Sequence, residues 1–276
     1  MSNLDIVLNH FNLHAATYHQ GGFCGTSAYS GQVPCGYIHL LRAGRVTFED
    51  KARRVFHLEE PGLMLIVRPN AYRLSALQDG GAELVCATLQ FDGGIDNPLS
   101  RALPDYIIRP LRELPSLSGC LDWIFQEATG QEAARELVLN RLFELMVIQL
   151  LRHIMTRREL PSGLMAGLAD IRLSRALNQI HEAPQQSWSV AALANIAGMS
   201  RASFAAHFRK IVGFSPADYL LEWRVSLAQK RLREGRPIAL IADEVGYESP
   251  SALARAFRRK VGSSPSQWLQ QVINQA

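Results

Sequence analysis

The chain has 276 residues, 47% of them hydrophobic and 20% charged, with a formal net charge of +4. That length suits two compact domains, and the composition is that of an ordinary globular protein. No run of about 18 uncharged apolar residues offers a membrane span, and the opening "MSNLDIVLNHFNLHAATYHQ" lacks a basic segment followed by an apolar one, so the cytoplasm is the expected compartment.

Residues from about 23 to 92 are cut by Gly and Pro into short pieces that favour strand: "GYIHLLRAG", "RVTFED", "RVFHLE", "LMLIVRP", "YRLSALQ" and "AELVCATLQF". Their β-branched and aromatic content, with partial alternation as in Val46-Thr47-Phe48, predicts an antiparallel sandwich or small barrel. Four cysteines stand at 24, 35, 86 and 120 with no C-x-x-C pair, which argues against a structural zinc site or a disulfide scaffold.

From Pro115 the pattern becomes helical, first in "SLSGCLDWIFQEATG" and then in "QEAARELVLNRLFELMVIQLLRHIMTRRE". The second segment carries an apolar stripe wider than one packing face needs, so residues 131–157 are expected to cover the barrel on one side and to offer the other to a second copy of the chain. Pro161-Ser162-Gly163 ends it. The expected division is a strand-rich domain over 1–112, a helical connector over 113–165 and an all-helical domain over 170–276, an α+β chain overall.

The basic excess is confined to the last part. From Asp170 onward 14 Lys and Arg face 8 Asp and Glu, a net +6, and the rest of the chain nets −2. A basic module beside a near-neutral one fits a polyanionic partner, because each cation placed on a phosphate releases condensed counterions. The same part repeats itself: "FRKIVGFSPADYL" from Phe208 and "FRRKVGSSPSQWL" from Phe257 share seven of thirteen residues, 49 positions apart. Each copy belongs to a longer unit, over 188–216 and 237–265. In each unit a short helix ends at Gly198 or Gly246, and a Ser at 200 or 249 stands where an N-cap would start a second helix. This is helix-turn-helix grammar. Between the copies, "ADYLLEWRVSLAQKRLREGRP" reads as one long helix ending at Gly235 that holds the two units apart.

A major groove about 12 Å wide admits one α-helix, which keeps its apolar side on its partner and turns small or hydrogen-bonding side chains outward. The outward positions are Arg201, Ala202, Ala205 and Ala206 in the first copy, and Ser251, Ala252, Ala254 and Arg255 in the second. Arg255 is the leading base reader, since a guanidinium grips guanine O6 and N7 together. Ser203, Arg209, Lys210, Arg258 and Arg259 are expected on phosphates, fixing register without reading sequence.

The tandem unit, with "IAGMSRASFAAHFRKIVGFSP", "WRVSLAQKRL" and "IADEVGYESPSALARAFRRKVGSSPSQWL", resembles the DNA-binding domain of AraC/XylS-type transcription regulators over residues 170–270. "FHLEEPGLMLIVRPNAYRL" and "CATLQFDGGIDNPLSRALP" are similar to the cupin-type sensor domain of one branch of that family. The resemblance implies a sequence-specific regulator, more often an activator, with duplex DNA and RNA polymerase as partners and a small-molecule effector in the barrel. His39, Tyr72 and Arg73 are the candidate pocket residues. Family members usually place bulkier polar residues in the first reader, so the alanines at 202, 205 and 206 suit thymine methyls or an anchoring role. Regulators of this branch that respond to reactive chlorine species carry cysteines near Cys24 and Cys86, which gives redox sensing as the alternative; "ELVCATLQF" itself reads as a buried strand. Metal-binding cupins gather histidines, and here only His39 and His57 lie on predicted strands, with Tyr72 where that pattern often has a histidine. No metal, no cofactor and no catalytic residue are therefore expected, and a metal-dependent cupin enzyme is the remote alternative.

Overall fold

A computed structural model describes residues 3–76 and 81–275. In chain order its elements are α1 (Asn3–His10), β1 (Leu13–Phe23), β2 (Gly25–Tyr29), β3 (Gly36–Gly44), β4 (Val46–Asp50), β5 (Val55–Leu58), β6 (Gly62–Ile66), β7 (Tyr72–Ala76), β8 (Ala82–Phe91), α2 (Pro98–Ala102), β9 (Tyr106–Pro110) and α3 (Ser118–Thr129). Helices follow to the end: α4 (Arg135–Arg157), α5 (Leu164–Ala169), α6 (Leu173–Glu182), α7 (Val190–Ile196), α8 (Arg201–Val212), α9 (Pro216–Arg233), α10 (Ile238–Glu244), α11 (Pro250–Val261) and α12 (Pro265–Gln275). The chain forms two compact units, one from 13–95 and 103–157, the other from 1–12, 96–102 and 158–276.

The first unit holds two antiparallel sheets, in the orders β1-β8-β3-β6-β9 and β2-β7-β4-β5. Leu41, Val46, Phe48, Leu58, Met64, Leu74 and Leu84 fill the core that both sheets share. All six predicted strand pieces are strands, although Leu77 and Gln78 of "YRLSALQ" lie outside the described residues. Strands β1, β2 and β9 were not predicted. Helix α4 lies along β1, where Asn140 Oδ1 accepts from the Thr17 amide at 2.7 Å and its hydroxyl at 2.9 Å. Leu139, Phe143, Met146, Val147, Leu150 and Leu151 are buried, while Leu137 stays 57% and Leu145 40% exposed.

Those contacts correct the expected division. Residues 113–157 fold with the sheets and are not a separate connector, because α4 buries its apolar face within that unit. Residues 1–12 and 96–102 fold with the helical unit. Phe11, fully buried, meets Trp223 edge-on at 5.4 Å, and Lys230 Nζ donates to the His10 carbonyl at 2.6 Å. Asn97 Oδ1 caps α2 by accepting from the Leu99 amide at 2.7 Å, and Arg101 pairs with Glu222. Among the described residues no helix is long and apolar enough to cross a membrane.

Candidate nucleic-acid interface

The seven residues shared by the two repeats are mostly core residues and helix punctuation. Phe208 and Phe257 are fully buried beneath their helices, and each packs edge-on against the next helix, Phe208 on Tyr219 at 5.6 Å and Phe257 on Trp268 at 5.7 Å. Gly213 and Gly262 end α8 and α11 in left-handed conformation, at φ 90° and 87°, which L side chains rarely adopt. Ser215 and Ser264 then open α9 and α12, each hydroxyl accepting an amide three residues on, with Pro216 and Pro265 in the first turn. The reader helices are capped alike: Ser200 Oγ accepts from the Ser203 amide at 3.3 Å and Ser249 Oγ from the Ala252 amide at 3.2 Å. Each such cap contributes about 1 kcal/mol.

With Phe204, Phe208 and Val212 buried, α8 leaves Arg201, Ala202, Ser203, Ala206, Arg209 and Lys210 exposed, and Ala205 half-buried. On α11, Leu253 and Phe257 are buried, Ser251, Arg255, Arg258 and Arg259 are exposed, and Ala252 and Ala254 are half-buried. Each helix thus offers small or hydrogen-bonding side chains in its N-terminal half and cations in its last turns. His207, which the sequence reading passed over, places Nε2 2.8 Å from Asp170 Oδ2 and ties α8 to the loop before α6.

Inside the sheets lies a second cluster. Cys86 on β8 faces His39 on β3 and His19 on β1 in cross-strand register. His39 is fully buried, with Nδ1 3.2 Å from Cys86 Sγ and Nε2 2.7 Å from Tyr72 Oη. Tyr18 Oη reaches both His39 Nδ1, at 3.4 Å, and Tyr29 Oη, at 3.1 Å, and the Tyr29 ring stacks on Tyr72 at 4.3 Å. Burial pushes His39 down to about 3 and the Cys86 thiol up to about 12, and it raises the Tyr72 phenol far above its usual range. A neutral imidazole has one N–H, so it donates through one nitrogen and accepts at the other; the Cys86 and Tyr72 contacts are therefore linked through one ring.

The family profile described as "Cupin" matches residues 3–156, more than half of the chain, and one described as "Helix-turn-helix domain" matches 193–271. The chain belongs to the cupin family, and its C-terminal part carries a helix-turn-helix domain. Two relatives, from Streptomyces antibioticus and Streptomyces lividans, have names that read AraC-like transcription regulator; they are 44% and 42% identical over 155 residues, 55% of this chain, and the match spans about half, 51%, of each. RclR of Escherichia coli, named an RCS-specific HTH-type transcriptional activator, is 29% identical over 85% of this chain and 84% of its own. ToxT of Vibrio cholerae, solved with an unsaturated fatty acid bound, aligns over 94% of both chains at 14% identity and a TM-score of 0.41.

Within the cupin domain the candidate residues part company. His39 and Tyr72 meet; Arg73 does not join them, because successive strand residues point to opposite faces and Arg73 is exposed. Tyr72 and Arg73 both border an open cleft of about 400 Å³, with Tyr29, Glu49, Asp50, Lys51 and Arg53. His57 is exposed beside Thr47, away from His39's cluster, and among the described residues no group of three or more His, Cys, Asp or Glu is arranged to hold a metal ion. Cys24 is exposed between β1 and β2. Its neighbour Phe23 pairs with Ala82, four residues along β8 from Cys86, which at about 3.4 Å per residue sets the two cysteines roughly 14 Å apart. A disulfide needs Cα atoms within about 7 Å. Tyr18, Tyr29 and Tyr37 were not predicted for this cluster; the Tyr37-x-His39 spacing, which puts both on one face of β3, was the available signal.

Proposed function

We propose that the chain is a sequence-specific transcription activator that reads duplex DNA with α8 and α11 and is controlled by a small-molecule effector bound in its cupin domain. Duplex DNA is the partner that the helix-turn-helix family supplies. The observation that carries the reading is the pair of serine-capped reader helices, each with a buried phenylalanine face and an exposed face of small residues and cations. Arg255 and Ser251 on α11, with Arg201, Ala202, Ala205 and Ala206 on α8, face the bases. Ser203, Arg209, Lys210, Arg258 and Arg259 take the phosphates. The effector enters the cleft beside Tyr29, Tyr72 and Arg73, whose volume lies within the usual range for ligand pockets. RNA polymerase is the partner of activation, and exposed Leu137 and Leu145 on α4 form a face for a second copy. No enzymatic activity is part of this reading; the relatives carry regulator names.

The test is selection from a random duplex pool with the full chain, followed by affinity measurement at two salt concentrations. The expected result is one enriched sequence bound about a thousandfold or more tighter than random duplex at physiological salt. A pool that yields no enriched sequence overturns the reading.

A second reading, control by oxidation, is favoured by the likeness to RclR and by the Cys86–His39 contact. Hypochlorous acid would transfer chlorine to the sulfur with release of water, and hydrolysis would leave HCl and a sulfenic acid, a polar group placed inside a buried cluster. Burial disfavours the thiolate of Cys86, whereas Cys24 is exposed. Iodoacetamide at pH 8 should therefore label Cys24 first and Cys86 about a hundredfold or more slower. Mass mapping after less than one equivalent of hypochlorite decides the reading: oxidation at Cys86 supports it, and modification confined to other residues ends it.

A further inference from the structure

The two helix-turn-helix units share their grammar but not their turns. In the first, Gly198 is followed two residues later by the cap Ser200; in the second, Gly246 is followed three residues later by Ser249, so the second turn is one residue longer. The surroundings differ as well. A Cβ built on Gly198 meets nothing within 4 Å, while one on Gly246 would lie 2.6 Å from the Gln185 carbonyl oxygen, 2.7 Å from Gln185 Cα and 2.7 Å from Arg224 Nη2. Both glycines have positive φ, 64° and 79°, but only the second is also a place of close approach.

What approaches is the loop that leads into the first unit. Residues 183–188 run from the end of α6 to the cap of α7, with Trp188 Nε1 donating to the Ala183 carbonyl at 2.9 Å and the Trp188 amide to that of Gln186 at 2.9 Å. Arg224, in the middle of α9, sends its guanidinium into this meeting point. Nε donates to the Pro184 carbonyl at 2.7 Å, Nη2 to the Gln186 carbonyl at 2.9 Å and Nη1 to the Gly246 carbonyl at 3.1 Å. The Tyr247 ring lies against the same group, 5.3 Å from Cζ. One planar cation thus bonds to the loop before the first unit and to the turn of the second, and its stem comes from the helix that separates them. Three donors fixed in one plane constrain distance and rotation together, which an ammonium on a flexible stem cannot do.

We infer that Arg224 is the positioning residue that sets the spacing and phase of the two readers, and with them the separation of half-sites that the chain accepts. Recognition helices that enter successive major grooves must lie about one duplex turn apart, so a small change in their relation costs contacts at one half-site. Arg224 is half-buried and is not among the residues assigned to DNA. The inference rests on the two-reader proposal, and the experiment separates their failures.

The probes are duplexes carrying the two half-sites found by selection, at the selected spacing and at that spacing lengthened or shortened by one and two base pairs, with a single half-site as reference. Each is titrated with the full chain, with Arg224→Lys and Arg224→Met, and with Gly246→Ala, which keeps Arg224 but puts a methyl group into the meeting point. The readout is the ratio of affinities at selected and altered spacing, which partial unfolding does not change because it lowers the active fraction for every probe alike. The native chain is expected to favour its own spacing by about a hundredfold, and the variants by about tenfold or less, with single half-site affinity unchanged. Undiminished discrimination in all three variants overturns the clamp alone. A native chain indifferent to spacing overturns the two-reader proposal and the clamp with it.

Discussion

Arg255→Ala should weaken binding to the selected site by about 10- to 100-fold and relax sequence preference at one base pair, leaving binding to random duplex nearly unchanged. The size follows from what a bidentate guanidinium–guanine contact contributes, about 1–3 kcal/mol of discrimination. Arg255 is suited to this because α11 holds it on the exposed side of a turn whose other side is pinned by Leu253 and Phe257, so its position is set by the core. Arg255→Lys keeps the charge but not the fork, and should bind random duplex like the native chain without recovering preference at that base pair. Arg258→Ala and Arg259→Ala, one turn further along, should lower affinity for every sequence alike and reduce the slope of log affinity against log salt by about 1 each. Binding to a library in which each base pair of the site is varied separates the two classes. If Arg255→Ala lowers affinity for all sequences equally, its assignment to a base is wrong and it belongs with the phosphate contacts. The first reader should respond less, because alanines at 202, 205 and 206 have only methyl groups to lose.

The helical unit was legible because its signals are local. Ser200, Gly213, Ser215, Gly235 and Ser249 act on amides and carbonyls within a few residues, so the ends of α8, α9 and α11 can be read from the residues that make them. Strand β1 was not legible. Leu13 and Ala15 alternate with exposed residues, but a register shift between Thr17 and His19 breaks the period, and Gly21 and Gly22 weaken what remains; β1 is a strand because β8 pairs with it, 59 to 78 residues away in the chain. Helix α1 was hidden for a related reason: eight residues form a marginal helix, held by burial of Ile6, Val7 and Phe11 within the helical unit. The cluster around His39 draws Tyr18, Tyr29, Tyr37, Tyr72 and Cys86 from five strands, and no window of sequence contains it. That Arg73 stays out of the buried cluster, by contrast, was legible, since neighbours on a strand point to opposite faces; it meets Tyr72 only along the open cleft that both border.

Both units should lose stability between pH 6.5 and 4.5, each through buried histidine. His39 in the cupin domain and His181 in the helical unit are fully buried, and burial holds each down to about 3. His181 Nε2 lies 2.6 Å from Tyr219 Oη, and its Nδ1 is buried without a hydrogen-bond partner, so the folded state offers no acceptor for a second proton there. The unfolded chain binds that proton near pH 6.5 and the folded chain only near 3; stability is therefore complete above about 6.5 and falls as pH drops toward 3. At pH 5 the loss is about 2 kcal/mol for each histidine. His10, also lowered by burial, acts in the same direction within the helical unit. Carboxylates act later. Burial raises Asp50 and Asp170, but amide donors and the Arg54 and His207 side chains outweigh it and hold both below 3.8, so their contribution is lost only below about that pH. Urea unfolding at pH 7.5, 6.0, 5.0 and 4.5 measures the slope, and His39→Gln and His181→Gln assign it. Each variant should start less stable at pH 7.5, because the shape and one contact of the ring are lost, yet should lose less as the pH falls, and only in its own unit. A unit whose stability stays flat from pH 7.5 to 4.5 must take up the proton while folded, and its histidine would then be a charged group with an acceptor, which reverses the role given to His39 beside Cys86 and Tyr72.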